Sequence, residues 1–268
     1  MTSDIQHSRF TMYVVTHKEF NPPFVHGYTP IAVGPLAEDA SCPFIKDNAG
    51  ESISEKNPTY CELTALYWIW KNDKDSDIVG LCHYRRYFTT HYSRFDQKGY
   101  LTEKEAETLL ADHDLILPAP FWWSTRTVGE NYYEGGMGYS GDLKTTRRVL
   151  ESSFPAYLPA FDKVMNSHHA SYCNMFVAPK CRLDEYCQWL FAILNEVEKR
   201  VDLTGYSPQE ARIFGYLSEL LLNVWAEHQK LSIVYLPLVN TDRGIIGNIK
   251  ERFRIERAKH KVIRGDIS

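Results

Sequence analysis

The tetrad His83-Tyr84-Arg85-Arg86 puts an imidazole, a phenol and two guanidinium groups in four consecutive residues, directly after the apolar run Ile78–Cys82. Adjacent arginines offer forked, permanently charged donors, which suit a phosphate or diphosphate. Thr16-His17-Lys18 closes the apolar run Thr11–Thr16 in a similar way. If both runs are strands of one open α/β sheet, both polar groups stand beyond carboxyl ends, where such sheets hold their ligands. Ordinary surface ion pairs are the alternative use of the two arginines.

Other chemistries fail on spacing. The chain has no G-x-x-x-x-G-K-[ST] and no G-x-S-x-G, so the common nucleoside-triphosphate cradle and the hydrolase elbow are absent. Asp73, Asp75 and Asp77 resemble the start of a calcium loop, but Ile78 and Tyr84 occupy its glycine and glutamate positions, which leaves an acidic turn. Asp112-His113-Asp114 precedes a strand, whereas a metal-holding acidic pair of a nucleotide-sugar enzyme should follow one. His168-His169 lacks ligand partners at metal spacing.

The elements that must position these groups are legible from periodicity and caps. Strands are expected at Thr11–Thr16, Tyr28–Val33, Ile78–Cys82, Asp114–Leu117, Asn174–Ala178 and Ser232–Leu236. Residues 34–56 read as polar and turn-rich. Thr59 with Glu62, Thr102 with Glu105, and Ser207 with Glu210 have capping-box spacing. They predict helices to Asn72, His113 and Gln229, the last with Pro208 in the first turn. Leu63, Leu66, Tyr67 and Trp70 give the first of these one apolar face. Further helices are expected at Asp142–Ser152, Pro159–Ser167 and Leu183–Arg200. Phe121–Gly141 shows no periodicity and is long for a plain connection, so it reads as a functional loop. Strands alternating with helices predict a mainly parallel central sheet covered on both faces, in one domain over residues 1–249 followed by a basic tail, 250–268.

Composition sets the bounds. With 268 residues, 44% hydrophobic and 24% charged, the chain is an ordinary globular one with a core that needs no staples. A net charge of −4 argues against a general nucleic-acid binder. Lys250–Arg264 carries seven Lys or Arg against two Glu, the one segment suited to a membrane surface or another polyanion. The six cysteines form no C-x-x-C pair, and no stretch reads as a signal peptide or a membrane span; a reduced, cytoplasmic setting is the expectation. The aromatic load, 17 Tyr, 13 Phe and 6 Trp, serves a core or sugar stacking equally.

The blocks Asn57–Asn72 and Val79–Phe88 (VGLCHYRRYF) resemble the two signature blocks of a bacterial family found in capsule, exopolysaccharide and O-antigen gene clusters. Its defining domain was long catalogued as of unknown function. Val14–Lys18, Asn174-Met175-Phe176 and Ala211–Glu219 match as well, so the resemblance spans about residues 11–240. It implies a galactofuranosyltransferase-like enzyme with a Rossmann-like GT-A fold, using UDP-galactofuranose to extend a surface polysaccharide; a base acting by direct displacement favours inversion. UDP-galactopyranose or UDP-glucose is the alternative donor, and a non-catalytic nucleotide-sugar- or glycan-binding assembly partner the alternative class. No cofactor is firmly expected: Arg85 and Arg86, helped by His83 and Lys18, would take over a metal's role on the diphosphate, with manganese or magnesium as the alternative.

On the same implication Thr16 and His17 lie near uridine and ribose, and Tyr84 belongs to the donor site. Asn57 and Glu62 contact donor or brace the loop, with the capping box as the competing role of Glu62. Glu219 and Asp142, with Glu134 behind them, are candidates for the base that takes the acceptor's proton. A structural ion pair is the competing role of Glu219. Trp122, Trp123, Tyr132 and Tyr133, with Asn174, would form a mobile lid and acceptor side, an ordered hydrophobic plug being the alternative. The acceptor would be a glycan or lipid-linked oligosaccharide. The charge of the basic tail from Lys250 suits peripheral contact with the inner membrane face, a solvated helix end being the alternative.

Overall fold

The computed structural model describes residues 9–91 and 96–264, the side chains to 260. Strands β1 (Phe10–Thr16) and β2 (Tyr28–Ala32) lead through a short α1 (Pro35–Glu38) and β3 (Ile45–Lys46) to α2 (Asn57–Tyr60) and α3 (Leu63–Asn72). Next come β4 (Ile78–His83), β5 (Arg86–Phe88), α4 (Glu103–Leu110), β6 (Leu115–Pro118) and β7 (Phe121–Trp122). Helices α5 (Val128–Glu134), α6 (Ser140–Ser153) and α7 (Leu158–Met165) precede β8 (His169–Ala170), β9 (Phe176–Pro179) and α8 (Lys180–Glu198). The chain closes with α9 (Ile213–Gln229), β10 (Ile233–Leu236), β11 (Leu238–Asn240) and α10 (Gly244–Arg264).

The central sheet has the order β10-β6-β9-β4-β1-β2-β3, with β5 attached to β4 and β11 to β5. All its pairs along that path are parallel except those of β9, which runs antiparallel to both β4 and β6. That reversal has a consequence for chemistry. It brings the start of β9, with Cys173 and Asn174 just before it, to the edge where β1 and β4 end.

Alternation sorts the buried side chains onto two faces. Tyr13, Val15, Val79 and Leu81 join the larger core under α3 and α5 to α9, while Met12, Val14, Ile78 and Cys82 join the smaller one with Ala106 of α4.

Several expectations need correction. Thr59 and Glu62 form no capping box: Pro58 starts the one-turn helix α2 early, and Cys61 at φ 53° breaks it before α3 begins. Glu62 stands at the N-cap of α3 with no capping bond, so its carboxylate is free for other work. The box of Ser207 and Glu210 is made, but it opens a 3₁₀ turn ahead of α9. Phe121–Gly141 is ordered rather than a loop. It holds β7, paired with β8, and α5, opened by a box of Thr127 and Glu130. The segment beginning at Lys250 continues a helix that starts at Gly244; residues 265–268 lie outside the described residues.

Candidate active site

The tetrad forms a tight hairpin. His83 and Arg86 are directly opposed in the antiparallel pair of β4 and β5, with Tyr84 and Arg85 at the tip. Opposed residues on an antiparallel ladder project to one side, so the two arginines part company. Arg85 lies with its guanidinium 5.6 Å from the Tyr84 ring centre and 3.2 Å from Asp242, an exposed pair that a stronger anion can displace. Lys18 Nζ lies 5.0 Å from the same ring centre, and the His17 ring meets the Tyr84 ring edge-on with centroids 5.4 Å apart. His17 is held below the ordinary histidine range, first by loss of solvent and then by the charges of Lys18, Arg85 and Arg212. That order of causes describes a cationic cluster beyond β1 and β4.

Arg86 is directed to the other side, where it makes no salt bridge with any described carboxylate and lines a cavity of about 380 Å³ with Cys173, Phe121 and residues of α10. Two acids stand near it. Glu219, one turn and a half into α9, accepts the Cys173 N–H at Oε1, 2.9 Å. Burial and then the charge of Glu62 push Glu219 up to about 8, against the pull of Cys173, Arg86 and Arg212. Glu62 accepts from Asn174 Nδ2 at 2.7 Å. The two acids therefore hang from neighbouring residues.

Those neighbours occupy the left-handed region, Cys173 at φ 81° and Asn174 at φ 48°, a conformation that costs a non-glycine residue about 1–3 kcal/mol. Hydrogen bonds hold it. His83 Nε2 donates to the Cys173 carbonyl at 2.6 Å; Asn174 Nδ2 also donates to Gly215 O at 2.9 Å, and the Ser218 hydroxyl lies 2.8 Å from Asn174 Oδ1. The result is a continuous run from His83 through Cys173 to Glu219, joined at Asn174 to Glu62 and α9.

Several sequence candidates take other roles. His83, lowered by burial and by Arg86 and Arg85 despite Glu62 and Cys173, is a neutral ring whose Nε2–H is already used, so it positions Cys173 and offers a diphosphate no charge. Thr16 is buried and closes its own turn, accepting from Lys18 N–H and donating to Lys18 O. Asn57 braces the chain by donating to Cys61 O at 2.9 Å, and its Oδ1 would sit 2.5 Å from any Cβ at residue 34, where Gly34 holds φ +60°. Asn174 is buried and positions Glu62; it is not on an acceptor surface.

Asp142 is not brought to the site. It is buried at the start of α6, accepting from Tyr139 N–H, Tyr132 OH and Tyr206 OH at 2.8, 3.1 and 2.7 Å. Glu134 pairs with Arg126 on the surface. The mobile lid gives way to the plug: Tyr132 is in the core, Trp123 packs on Phe121 and Tyr172, and Trp122 stacks on His169 at 4.1 Å, leaving Tyr133 exposed. Sequence reasoning missed Arg212, whose Nε donates to Cys61 Sγ at 3.1 Å, and Cys173. Arg212 lies inside the block Ala211–Glu219, which was its one available signal.

Among the described residues, no three His, Cys, Asp or Glu side chains converge as ligands. Asp114, of the Asp112-His113-Asp114 group, is tied to Arg182 at 3.1 Å and to Ser232 N–H at 3.0 Å.

A family model described as "Domain of unknown function (DUF4422)" matches residues 11–230. The chain belongs to this family. No curated protein matches it. Among solved structures, "WbbM bifunctional glycosytransferase apo structure" is 27% identical with a TM-score of 0.78, over 86% of this chain and 45% of that one. The chain thus spans less than half the length of that protein. The likeness makes the fold of this DUF4422 member GT-A-like, a mixed α/β architecture with a mostly parallel sheet.

Proposed function

We propose that the chain is a glycosyltransferase that moves a hexosyl residue from a nucleotide diphosphate sugar to a glycan hydroxyl with inversion. UDP-galactofuranose is the donor we favour, and a growing surface polysaccharide the acceptor. The observation that carries this reading is the arrangement of the carboxyl edge: Lys18 and Arg85 around Tyr84 at the hairpin tip, Arg86 with two linked acids on the other side, and Arg212 close enough to act on both His17 and Glu219. The 27% identity with a glycosyltransferase of matching fold supports the class.

In this reading Arg85, Lys18 and Arg212 neutralise the charge that builds on the departing diphosphate, a preformed electrostatic contribution to the transition state. Exchange of the exposed Asp242 for the diphosphate frees the Arg85 guanidinium. Glu219 takes the proton of the attacking hydroxyl as its oxygen bonds to the anomeric carbon and the bond to the diphosphate breaks. The cavity beside Arg86 receives the acceptor. Glu62 and His83 position the base, the first through charge and Asn174, the second through Cys173.

A UDP-release screen across UDP-sugars, the furanose form included, tests the reading with and without excess EDTA. Release from one donor, stimulated by glycan acceptor and kept in EDTA, is the expected result. Tight UDP binding with no release from any donor would make the chain a binding partner instead, and a complete, metal-reversible loss in EDTA would overturn the role given to the cations.

A further inference from the structure

Helix α10 packs with one face and leaves the other bare. Asn248, Glu251, Arg252 and Ile255 are turned to the protein, and Asn248 is tied to Asn240 O at 2.8 Å. On the opposite face Ile246, Ile249 and Phe253 follow at i, i+3 and i+7, a single stripe on a helix. Ile246 is 71% and Phe253 73% exposed, and Ile245 beside them is 62% exposed. Large apolar side chains this exposed are otherwise scattered singly over the described surface.

The stripe is flanked by cations. Lys250 and Arg257 are exposed and make no ion pair with any described carboxylate, whereas Arg254 pairs with Glu251. The segment from Lys250 to Arg264 adds five net positive charges. A bare apolar stripe with unpaired cations along its border matches an interfacial helix, whose apolar side chains enter the acyl boundary while cations meet anionic headgroups. A second copy of the chain fits poorly, since two such faces would oppose like charges. Glu256, on the Ile245 side, is the one acid on the exposed face.

We propose that α10 docks the protein on an anionic lipid bilayer through Ile246, Ile249 and Phe253, with Lys250 and Arg257 at the headgroups. This does not rest on the transferase reading. Its consequence is positional: Ile249 and Phe253 of the stripe also line the rim of the cavity that holds Arg86, beside the inward residues Asn248, Arg252 and Ile255, so docking sets the α10 rim of that cavity at the lipid surface.

The test is co-sedimentation of the whole chain with vesicles. Vesicles of mixed phosphatidylglycerol and phosphatidylcholine should carry the protein down, vesicles of phosphatidylcholine alone should not, and added salt should release it. Each cation contributes about fivefold at such a surface, so Lys250→Gln with Arg257→Gln should weaken partitioning about 25-fold. Ile246→Ser with Phe253→Ser should weaken it at least tenfold with the charge unchanged. Thermal melting checks that both variants fold, and the salt dependence of the wild type needs no variant. Absence of sedimentation with anionic vesicles would overturn the proposal, as would equal sedimentation with neutral ones or an unaffected Ile246→Ser, Phe253→Ser protein. So would light scattering that finds a dimer which the apolar double variant dissociates, because the face would then belong to a second copy.

Discussion

The sharpest prediction concerns the proton on Glu219. With its carboxyl near 8, about one tenth of the molecules carry an ionised base at pH 7 and about nine tenths at pH 9. The kcat/KM for transfer should therefore rise roughly tenfold over that interval and level off above it. The causes of the shift give two further signs. Glu62→Gln removes the charge that ranks next after burial, so the midpoint should move to lower pH. Arg86→Ala removes a charge that favours the ionised form, so the midpoint should move up. Glu219→Gln should lower turnover at every pH by ~10²–10⁴-fold, the span that positioned proton transfer contributes. The assay is UDP release with saturating acceptor from pH 5.5 to 9.5, with UDP affinity measured alongside to separate binding from turnover. A flat profile, or Glu219→Gln turning over at near wild-type rate, would refute the assignment of the base. Equal shifts in the same direction for Glu62→Gln and Arg86→Ala would refute the electrostatic account of it.

Arg85→Ala should weaken UDP binding about tenfold or more by calorimetry, the usual consequence of losing a charged hydrogen bond. Asp142→Asn should leave turnover near normal while lowering stability by about 1–3 kcal/mol in urea denaturation, because the buried Tyr132 hydroxyl, the half-buried Tyr206 hydroxyl and an α6 cap depend on it. Asn174→Ala should do the reverse in part, losing turnover because Glu62 and α9 come adrift. Asp47 is buried with no well-formed hydrogen bond to either carboxyl oxygen, and burial raises it from 3.8 to about 6 against a weaker opposing pull from Thr64. Its folded form holds the proton more tightly than the unfolded chain, so stability is lost as pH rises from about 4 to about 6, about 3 kcal/mol in all. Asp47→Asn should remove that slope and be more stable than wild type at pH 7.5 but not at pH 4.

The sheet was legible because its strands are short apolar runs bounded by turns: β1 and β4 lie within a residue of the expected Thr11–Thr16 and Ile78–Cys82. Antiparallel β9 was not, since an apolar run buried on both faces reads the same in either direction. Capping boxes were as good as their context. Thr102 and Glu105 make theirs, but Pro58 overrode the one at Thr59, and that of Thr127 was hidden in aromatic and glycine residues. The cationic hairpin was visible as a motif, and its location beyond β4 followed from the sheet. The parting of Arg85 from Arg86 was not, because it depends on the pairing of His83 with Arg86 across a turn too short to show periodicity. Asp142 misled for a related reason: an acid in the first helical turn has the same composition whether it caps or catalyses.

Cys173 and Asn174 deserve a last consequence. Each suspends one carboxylate, and both share one backbone twist at the mouth of β9. Any motion that unwinds the twist must swing the two acids together, so their separation is governed by a hinge two residues long. Substitutions at 173 and 174 should accordingly combine non-additively, and variants that alter donor or acceptor preference by changing the spacing of the acids should map to this pair before they map to the acids themselves.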